Sequence, residues 1–442
     1  MGEVTLLEML SAREERVKAQ SRLLKEYGCP IISFTMNIAG PQKTSPLIER
    51  AFDEGIKSLI CSIPAEKIIK KEIFKLKTGC ECYISADLPA DELKKICVGI
   101  EEKNSLGRLF DMDVIDISGK KLERENERGC IICGKKGRGC AASRAHSVEE
   151  LKSATYKIIS EYFAAADSEI IAEKAVQSLV DEVLTTPKAG LVDRRNCGSH
   201  TDMNIDTFLK SAASLRGYFE KCVEIGQQTS NEPPEYTFPP LKDAGVEAEK
   251  QMLRATGGVN THKGAIYSMG LVCGAIGRLY RPENPISKTE DILSECSRIV
   301  KDAAESDLNS ASGKTSGERL YLERGIRGIR GEAADGFPSV LNVSLPAFCS
   351  ALESGKTQND AAVRSLLELI ACVEDTNLYK RGGIEGARWA KNAARELLKK
   401  NPTNEQIEAL DDEFIKRNLS PGGCADLLAL TLFLHSLKNK NV

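Results

Sequence analysis

Lys188, Asp193, Arg194, Arg195, His200 and Asp202 crowd into residues 182–204, EVLTTPKAGLVDRRNCGSHTDMN. Pro187 stops any helix arriving from upstream, and Gly190 permits a tight turn. Mixed charge on a loop that follows a rigid helix suits phosphate and metal binding; a merely solvated surface loop would have the same composition. Four later stretches repeat the pattern. In ATGGVNTHKG, residues 255–264, Asn260, Thr261, His262 and Lys263 stand at a helix start, where backbone N–H groups favour anions. His262 could equally be an ordinary cap-region histidine. Residues 327–336 set Arg327 and Arg330 close to Glu332, a phosphate cradle plus an acid. Residues 374–383 place Glu374 and Asp375 beside Asn377, with Lys380 and Arg381 a turn later. In residues 420–426, Ser420 can cap and Pro421 can start a helix that carries Asp426 into apolar sequence. Acids and bases at five separated loop-to-helix junctions predict convergence on one polyphosphate–metal pocket in a helical bundle.

The front of the chain offers a different chemistry. In GRLFDMDVIDISG, residues 107–119, strand alternation puts Phe110, Met112 and Val114 on one face and Asp111 and Asp113 on the other. Two such carboxylates, with Cα atoms about 7 Å apart from the strand rise, can converge on one Mg²⁺, a hard cation that takes carboxylate and phosphate oxygens. That is the geometry of nucleotidyl transfer, with Arg108 beside it; an edge strand with solvated acids is the other reading. The segment CIICGKKGRGCAASRAHS follows, with Cys130, Cys133, Cys140 and His146. These are the ligand types of a Cys3His zinc site. The alternative is a loop whose Lys135, Lys136, Arg138, Arg144 and His146 bind phosphate.

These groups need elements to position them. Residues 4–26 read as a helix on which Arg13, Arg16 and Gln20 share a face. Residues 29–38 and 80–88 read as strands, and 46–60 and 90–103 as helices. The alternation predicts an α/β or α+β first domain. A helix over 147–166 closes it, and a second, capped by Asp167, opens the next. Beyond Asn204 the periodicity is almost wholly helical. Gly264, Gly270 and Gly274 would allow close helix approach within residues 255–280. The reading is therefore multidomain, with domains at 1–165 and 166–442.

At 442 residues the chain has room for both domains, and a net charge of −3 gives no electrostatic argument for a polyanionic partner. One tryptophan and few aromatics argue against stacking platforms for nucleic acid. No apolar run is long enough to span a bilayer, and no signal h-region is legible. Fifteen scattered cysteines suit reduced thiols in a cytoplasm better than a disulfide framework.

The stretches PKAGLVDRRNCGSHTDMN, TGGVNTHKGAI, GIRGIRGEAADGFPSV, VEDTNLYKRGG and SPGGCADLLALT together resemble the triphosphoribosyl-dephospho-CoA synthase family. GRLFDMDVID with CIICGKKGRGCAASRAHS resembles the holo-citrate lyase acyl carrier protein synthase family. The likeness implies an N-terminal nucleotidyltransferase-type domain and a larger all-α bundle. It implies that the bundle joins the ribosyl triphosphate of ATP to the 2′-hydroxyl of 3′-dephospho-CoA and releases adenine. The front domain would then transfer phosphoribosyl-dephospho-CoA to a serine of the citrate lyase acyl carrier (γ) subunit and release pyrophosphate. A malonate decarboxylase carrier, or a ribosyl-bond hydrolase with a zinc-stabilised carrier-docking module, are the rival readings. With the likeness, Asp202, Glu332, Asp375 and Asp426 become candidate bases or Mg²⁺ ligands. Lys188, His200, His262, Lys263, Arg330 and Arg381 become candidate phosphate contacts. In front, Asp111 and Asp113 would hold Mg²⁺ on the triphosphate, with Arg108, Arg144 and His146 on the leaving pyrophosphate.

Overall fold

The computed structural model describes residues 2–309, 313 and 316–438. The chain divides into two compact units between Ala164 and Ala165.

The first unit is built on a four-stranded antiparallel sheet of order β2-β3-β1-β4, with β1 Ile31–Met36, β2 Ile68–Leu76, β3 Gly79–Ala86 and β4 Phe110–Ile115. Ser33 lies opposite Tyr83 and Asp113, and Thr35 opposite Glu81 and Asp111. Because side chains alternate along a strand, the sheet has two unlike faces. Ile32, Phe34, Cys82, Ile84, Met112 and Val114 make an apolar core with helices α2 (Pro46–Ser62) and α3 (Ala90–Lys103). The opposite face carries Ser33, Thr35, Glu81, Asp111 and Asp113, and helix α1 (Leu6–Tyr27) packs there. Arg16 pairs with Glu81 at 2.7 Å and Gln20 donates to Ser33 Oγ at 2.9 Å, so the polar stripe of α1 meets the polar face of the sheet. Strand β2 was not expected. It is a lysine-rich, largely exposed edge, and its charges protect the edge from pairing while masking its strand pattern.

Helix α4 (Gly137–Ser143) and the long α5 (Val148–Leu184) follow. The two helices expected on either side of Asp167 are one. Asp167 caps nothing; it is buried inside α5 and accepts a hydrogen bond from Tyr280 Oη at 2.8 Å. A partner from another helix made a mid-helix aspartate tolerable.

From Ile205 the described residues of the second unit are helical and irregular. They form α6 (Ile205–Ser214), α7 (Arg216–Gln228), α8 (Phe238–Ala255), α9 (Lys263–Leu279), α10 (Thr289–Asn309) and α11 (Ser316–Arg324). Then come α12 (Gly328–Ala334), α13 (Leu345–Glu353), α14 (Gln358–Cys372), α15 (Thr376–Leu398), α16 (Asn404–Lys416) and α17 (Gly422–Lys438). Helix α9 is central: almost every residue from Ala265 to Arg278 is buried, and it packs on α7, α8, α10 and α17. Glycine makes the closest of these contacts feasible. A Cβ on Gly277 would lie 2.1 Å from the Val223 carbonyl oxygen, so α7 and α9 touch backbone to backbone.

Candidate active sites

In the second unit the five loop-to-helix junctions line one cavity of about 1070 Å³. Each is held by local chemistry. The turn after α5 is pinned where Gly190 N–H donates to Asp411 Oδ1 at 2.8 Å and Ser199 Oγ donates to the Leu419 carbonyl at 2.6 Å. Asp375 caps α15, accepting from Asn377 N–H at 2.7 Å, while its other oxygen accepts from Cys424 N–H at 2.8 Å in the first turn of α17. One carboxylate thus joins two helix starts.

Seven acids among the described residues line the cavity, and three of them, Glu182, Asp375 and Asp426, act on one another. Burial raises the Glu182 carboxyl, and the Lys188 ammonium at 2.6 Å opposes that. Burial also raises Asp375, against the two backbone donors just named. Asp426 is held well above the usual carboxylate range, first by burial and then by the charges of Glu182 and Asp375. It lies against the first turn of α9, so that a Cβ on Gly264 would come within 1.9 Å of its Oδ2. Nearer the mouth, Asp202 is exposed. Glu332 is raised by burial although it accepts from Ser339 Oγ at 2.6 Å.

The two histidines of the cavity are neutral hydrogen-bonding groups. Burial, and then Arg381, lower the His200 imidazolium. Arg381 only donates, so His200 Nδ1 accepts from its Nη2 at 3.2 Å, and Nε2 carries the proton toward Ser420 Oγ at 2.9 Å. His262 is 3 % exposed, and burial lowers its pKa to about 3. Thr261 Oγ1 donates to Ser211 Oγ, which leaves the Ser211 proton for His262 Nδ1 at 2.7 Å. The His262 Nε2–H then has no partner among the described residues, although it is buried and its ring lines the cavity. Cations surround the mouth: Lys263 on Glu249, Arg327 on Asp335, and Lys380 and Arg381 from α15.

In the first unit Asp111 and Asp113 share the polar face of β4, and Lys121 Nζ lies 2.5 Å from Asp113 Oδ2. β4 is an edge of the sheet. Asp111 keeps an exposed edge, yet the protein around it, and then Asp113, raise its carboxyl. Arg108 Nη2 donates to the carbonyl of Gly129 at 2.9 Å, Arg144 is exposed, and His146 Nε2 sits 3.3 Å from Cys133 Sγ.

Mg²⁺ fits both donor sets, in a limited way. Among the described residues no three carboxylates bring their oxygens to one point. Mg²⁺ commonly takes one or two carboxylates and completes its shell with phosphate oxygens and water. The paired aspartates of β4 match that demand, and the acids around Asp426 match it in their ionised form, which a bound cation favours against the burial that raises them.

Two family models match this chain. One, described as ATP:dephospho-CoA triphosphoribosyl transferase, matches residues 168–442; the other, described as Apo-citrate lyase phosphoribosyl-dephospho-CoA transferase, matches residues 4–162. The chain is 33% identical over 457 residues to Protein CitXG of Haemophilus influenzae, covering 99% of this chain and 97% of that one. It is likewise 33% identical over 462 residues to Protein CitXG of Leuconostoc mesenteroides subsp. cremoris, covering 98% and 97%. The chain belongs to the CitXG family. It is a bifunctional transferase of citrate lyase prosthetic-group synthesis. A solved structure of a putative triphosphoribosyl-dephospho-coA synthase from Archaeoglobus fulgidus matches 51% of this chain and 98% of that one. The identity is 19% and the TM-score 0.35. No described helix is long and apolar enough to cross a membrane.

Of the residues expected in the CitG-type site, His200, Asp202, His262, Lys263, Glu332, Asp375, Arg381 and Asp426 line the cavity. Two do not. Lys188 is 1 % exposed with its ammonium on Glu182, behind the wall and spent on a buried ion pair. Arg330 lines a neighbouring cavity of about 220 Å³ beside Tyr218, Phe238 and Leu241. A seven-residue helix turns successive side chains in different directions, and Arg327 takes the place expected for Arg330. Sequence reasoning missed Glu182 and Arg324 as cavity residues. The only signal was an acid in the last turn of a helix, six residues before a lysine. In the CitX-type site His146 and Arg108 turn toward the cysteine loop.

Proposed function

We propose that residues 166–442 make 2′-(5″-triphosphoribosyl)-3′-dephospho-CoA in the five-junction cavity. Residues 1–165, a nucleotidyltransferase-type domain, then pass phosphoribosyl-dephospho-CoA to the citrate lyase acyl carrier subunit. The observation that carries the reading is the joining of five distant junctions, with acids inside and cations at the mouth, around one space. That space, about 1070 Å³, is at the upper limit for a single ligand, roughly 300–1,000 Å³, and suits two nucleotides together.

The triphosphate of ATP lies at the mouth against Lys263, Arg327, Lys380 and Arg381, and its ribose reaches inward. Displacing adenine at C1 develops oxocarbenium charge, which the carboxyls of Glu182, Asp375 and Asp426 oppose. Asp426, raised by burial and by its acidic neighbours, is the group best suited to take the proton of the 2′-hydroxyl. The unpartnered His262 Nε2–H donates to a substrate oxygen, a role a neutral ring performs without the cost of burying charge. Asp202 and Glu332 would hold Mg²⁺ on the polyphosphate side. In the second reaction a carrier serine attacks the α-phosphorus in line and pyrophosphate leaves. Asp111 and Asp113 would hold the Mg²⁺ that neutralises the triphosphate on the face of β4, and Arg144 meets the leaving group. When bound, Mg²⁺ supplies charge neutralisation at the phosphate oxygens of both sites; its candidate ligands are Asp111 and Asp113 in one, and Asp202, Glu332, Asp375 and Asp426 in the other. Free cysteines throughout the chain support a reducing, cytoplasmic setting.

The test is incubation with ATP, 3′-dephospho-CoA, Mg²⁺ and apo carrier. Adenine should appear only when dephospho-CoA is present, and the carrier should gain the mass of phosphoribosyl-dephospho-CoA. Adenine released equally fast without dephospho-CoA would turn the reading toward hydrolysis. Running apo citrate lyase and malonate decarboxylase carriers side by side identifies the acceptor.

A further inference from the structure

The cysteine loop of the first unit has a geometry that neither reaction requires. Cys130, Cys133, Cys140 and His146 bring their ligand atoms within 4.8 Å of one another, the only such group among the described residues. Cys133 Sγ lies 3.4 Å from Cys140 Sγ and 3.3 Å from His146 Nε2. In a tetrahedral site with bonds of about 2.3 Å to sulfur and about 2.0 Å to nitrogen, ligand atoms stand roughly 3.5–3.8 Å apart. The four are therefore nearly in place. The backbone prepares this. Cys130 N–H donates to the Lys135 carbonyl at 2.6 Å and Gly134 N–H donates to the Cys130 carbonyl at 3.0 Å, with Gly134 left-handed at φ 71°. The Ile132 N–H, 3.5 Å from Cys130 Sγ, favours a thiolate there. Helix α4 then returns Cys140, and the loop after it returns His146.

Apolar packing of this loop is slight, with Ile131 partly buried against the core of the first unit. Among the described side chains of residues 123–147, Cys130 alone is buried. A segment with so little core needs a different fastener. We propose that these four residues bind one structural zinc ion, and that the ion holds residues 123–147 against the strand of the aspartate pair. The connection is direct. Arg108 donates to the carbonyls of Gly129 and Cys130 at 2.9 and 3.4 Å. Arg128 donates to the carbonyl of Phe110, the residue before Asp111. Arg124 and Arg128 both pair with Glu101, which accepts the Met112 N–H at 2.8 Å. Loss of the ion would therefore loosen the backbone on both sides of Asp111. That consequence for transfer rests on the role proposed above for the aspartates; the binding of zinc does not.

The test uses the full chain, purified without chelator. Metal analysis should give one zinc per chain, and cobalt substitution should give the absorption bands of a tetrahedral thiolate site. Cys133→Ser and Cys140→Ser should lose both signals and lower carrier modification at least tenfold, with adenine release unchanged as evidence that the rest of the chain is folded. Should those variants fail to fold, mercurial titration of the wild type, reading zinc released per thiol blocked, reports on the same four residues. A wild-type chain that holds no zinc after equilibration with the metal, or a Cys133→Ser variant that keeps full zinc, overturns the site. Full transfer by a metal-free chain overturns the fastening role. Metal content is read apart from activity, so failure of the catalytic reading would not register as failure of the site.

Discussion

Replacing Gly264 by alanine tests the proposed role of Asp426 without touching its chemistry. Gly264 is the second residue of α9 and has no left-handed φ, so an alanine there is conformationally welcome, by about 1 kcal/mol in a helix. Its Cβ, however, would fall 1.9 Å from Asp426 Oδ2 and 2.8 Å from Asp426 Cγ. Real Cβ contacts do not go below 3.0 Å, so the carboxyl must retreat by at least 3.0 − 1.9 = 1.1 Å. A misplacement of about 1 Å at a reacting group costs about 10²-fold in rate, close to 2.7 kcal/mol in the barrier. The expected result is a kcat for adenine release lowered about 100-fold, with KM for ATP little changed because the triphosphate is held at the mouth. The assay is chromatographic quantification of adenine from ATP and 3′-dephospho-CoA. The urea midpoint should shift only modestly, because the helix preference of alanine is offset by the strain of displacing the carboxyl, and transfer from preformed triphosphoribosyl-dephospho-CoA should be unaffected. Adenine release at the wild-type rate by a folded Gly264→Ala protein would refute the reasoning, because the position of Asp426 would then be immaterial.

Asp111→Asn and Asp113→Asn should each lower carrier modification by about 10²–10³-fold, the usual cost of removing one preorganised electrostatic group, while adenine release continues; mass spectrometry of the carrier reads this. Lys188→Met leaves Glu182 buried without its cation and should cost about 3–5 kcal/mol of stability, partly restored by a second change, Glu182→Gln, as urea unfolding would reveal. His262 gives a pH signature. Its folded pKa of about 3 lies below the ordinary 6.5, so the unfolded chain takes up the proton first. The stability that depends on a neutral ring is complete above pH 6.5 and is lost as pH falls toward 3, by about 1.4 kcal/mol per pH unit. Between pH 6.5 and 5 the wild type should lose about 1.6 kcal/mol more than His262→Gln; equal losses in urea melts would contradict a buried, neutral His262.

The sequence alone carried whatever depends on direction within one element. Period-two alternation put Asp111 and Asp113 on one face of β4, and Cys-x-x-Cys spacing marked a metal-type turn. Glycine, proline and capping residues marked the junctions where α9 and α17 begin. It also showed, through five motifs and a paired-aspartate strand, which families the chain resembles. Strand β2 escaped because its lysines, which protect a sheet edge, hide an apolar period. Choice of partner was decided only in three dimensions. Lys188 was available to phosphate until α5 brought Glu182 beside it, and Arg330 until the short helix α12 turned it to another cavity. Asp375 was one acid among several until Cys424, far along the chain, placed an N–H on its second oxygen. A side chain's heading follows from the geometry of its own helix or strand, which neighbouring residues encode. Its burial, its charge and its bonds depend on what packs opposite, and in this chain the opposing groups lie up to hundreds of residues away.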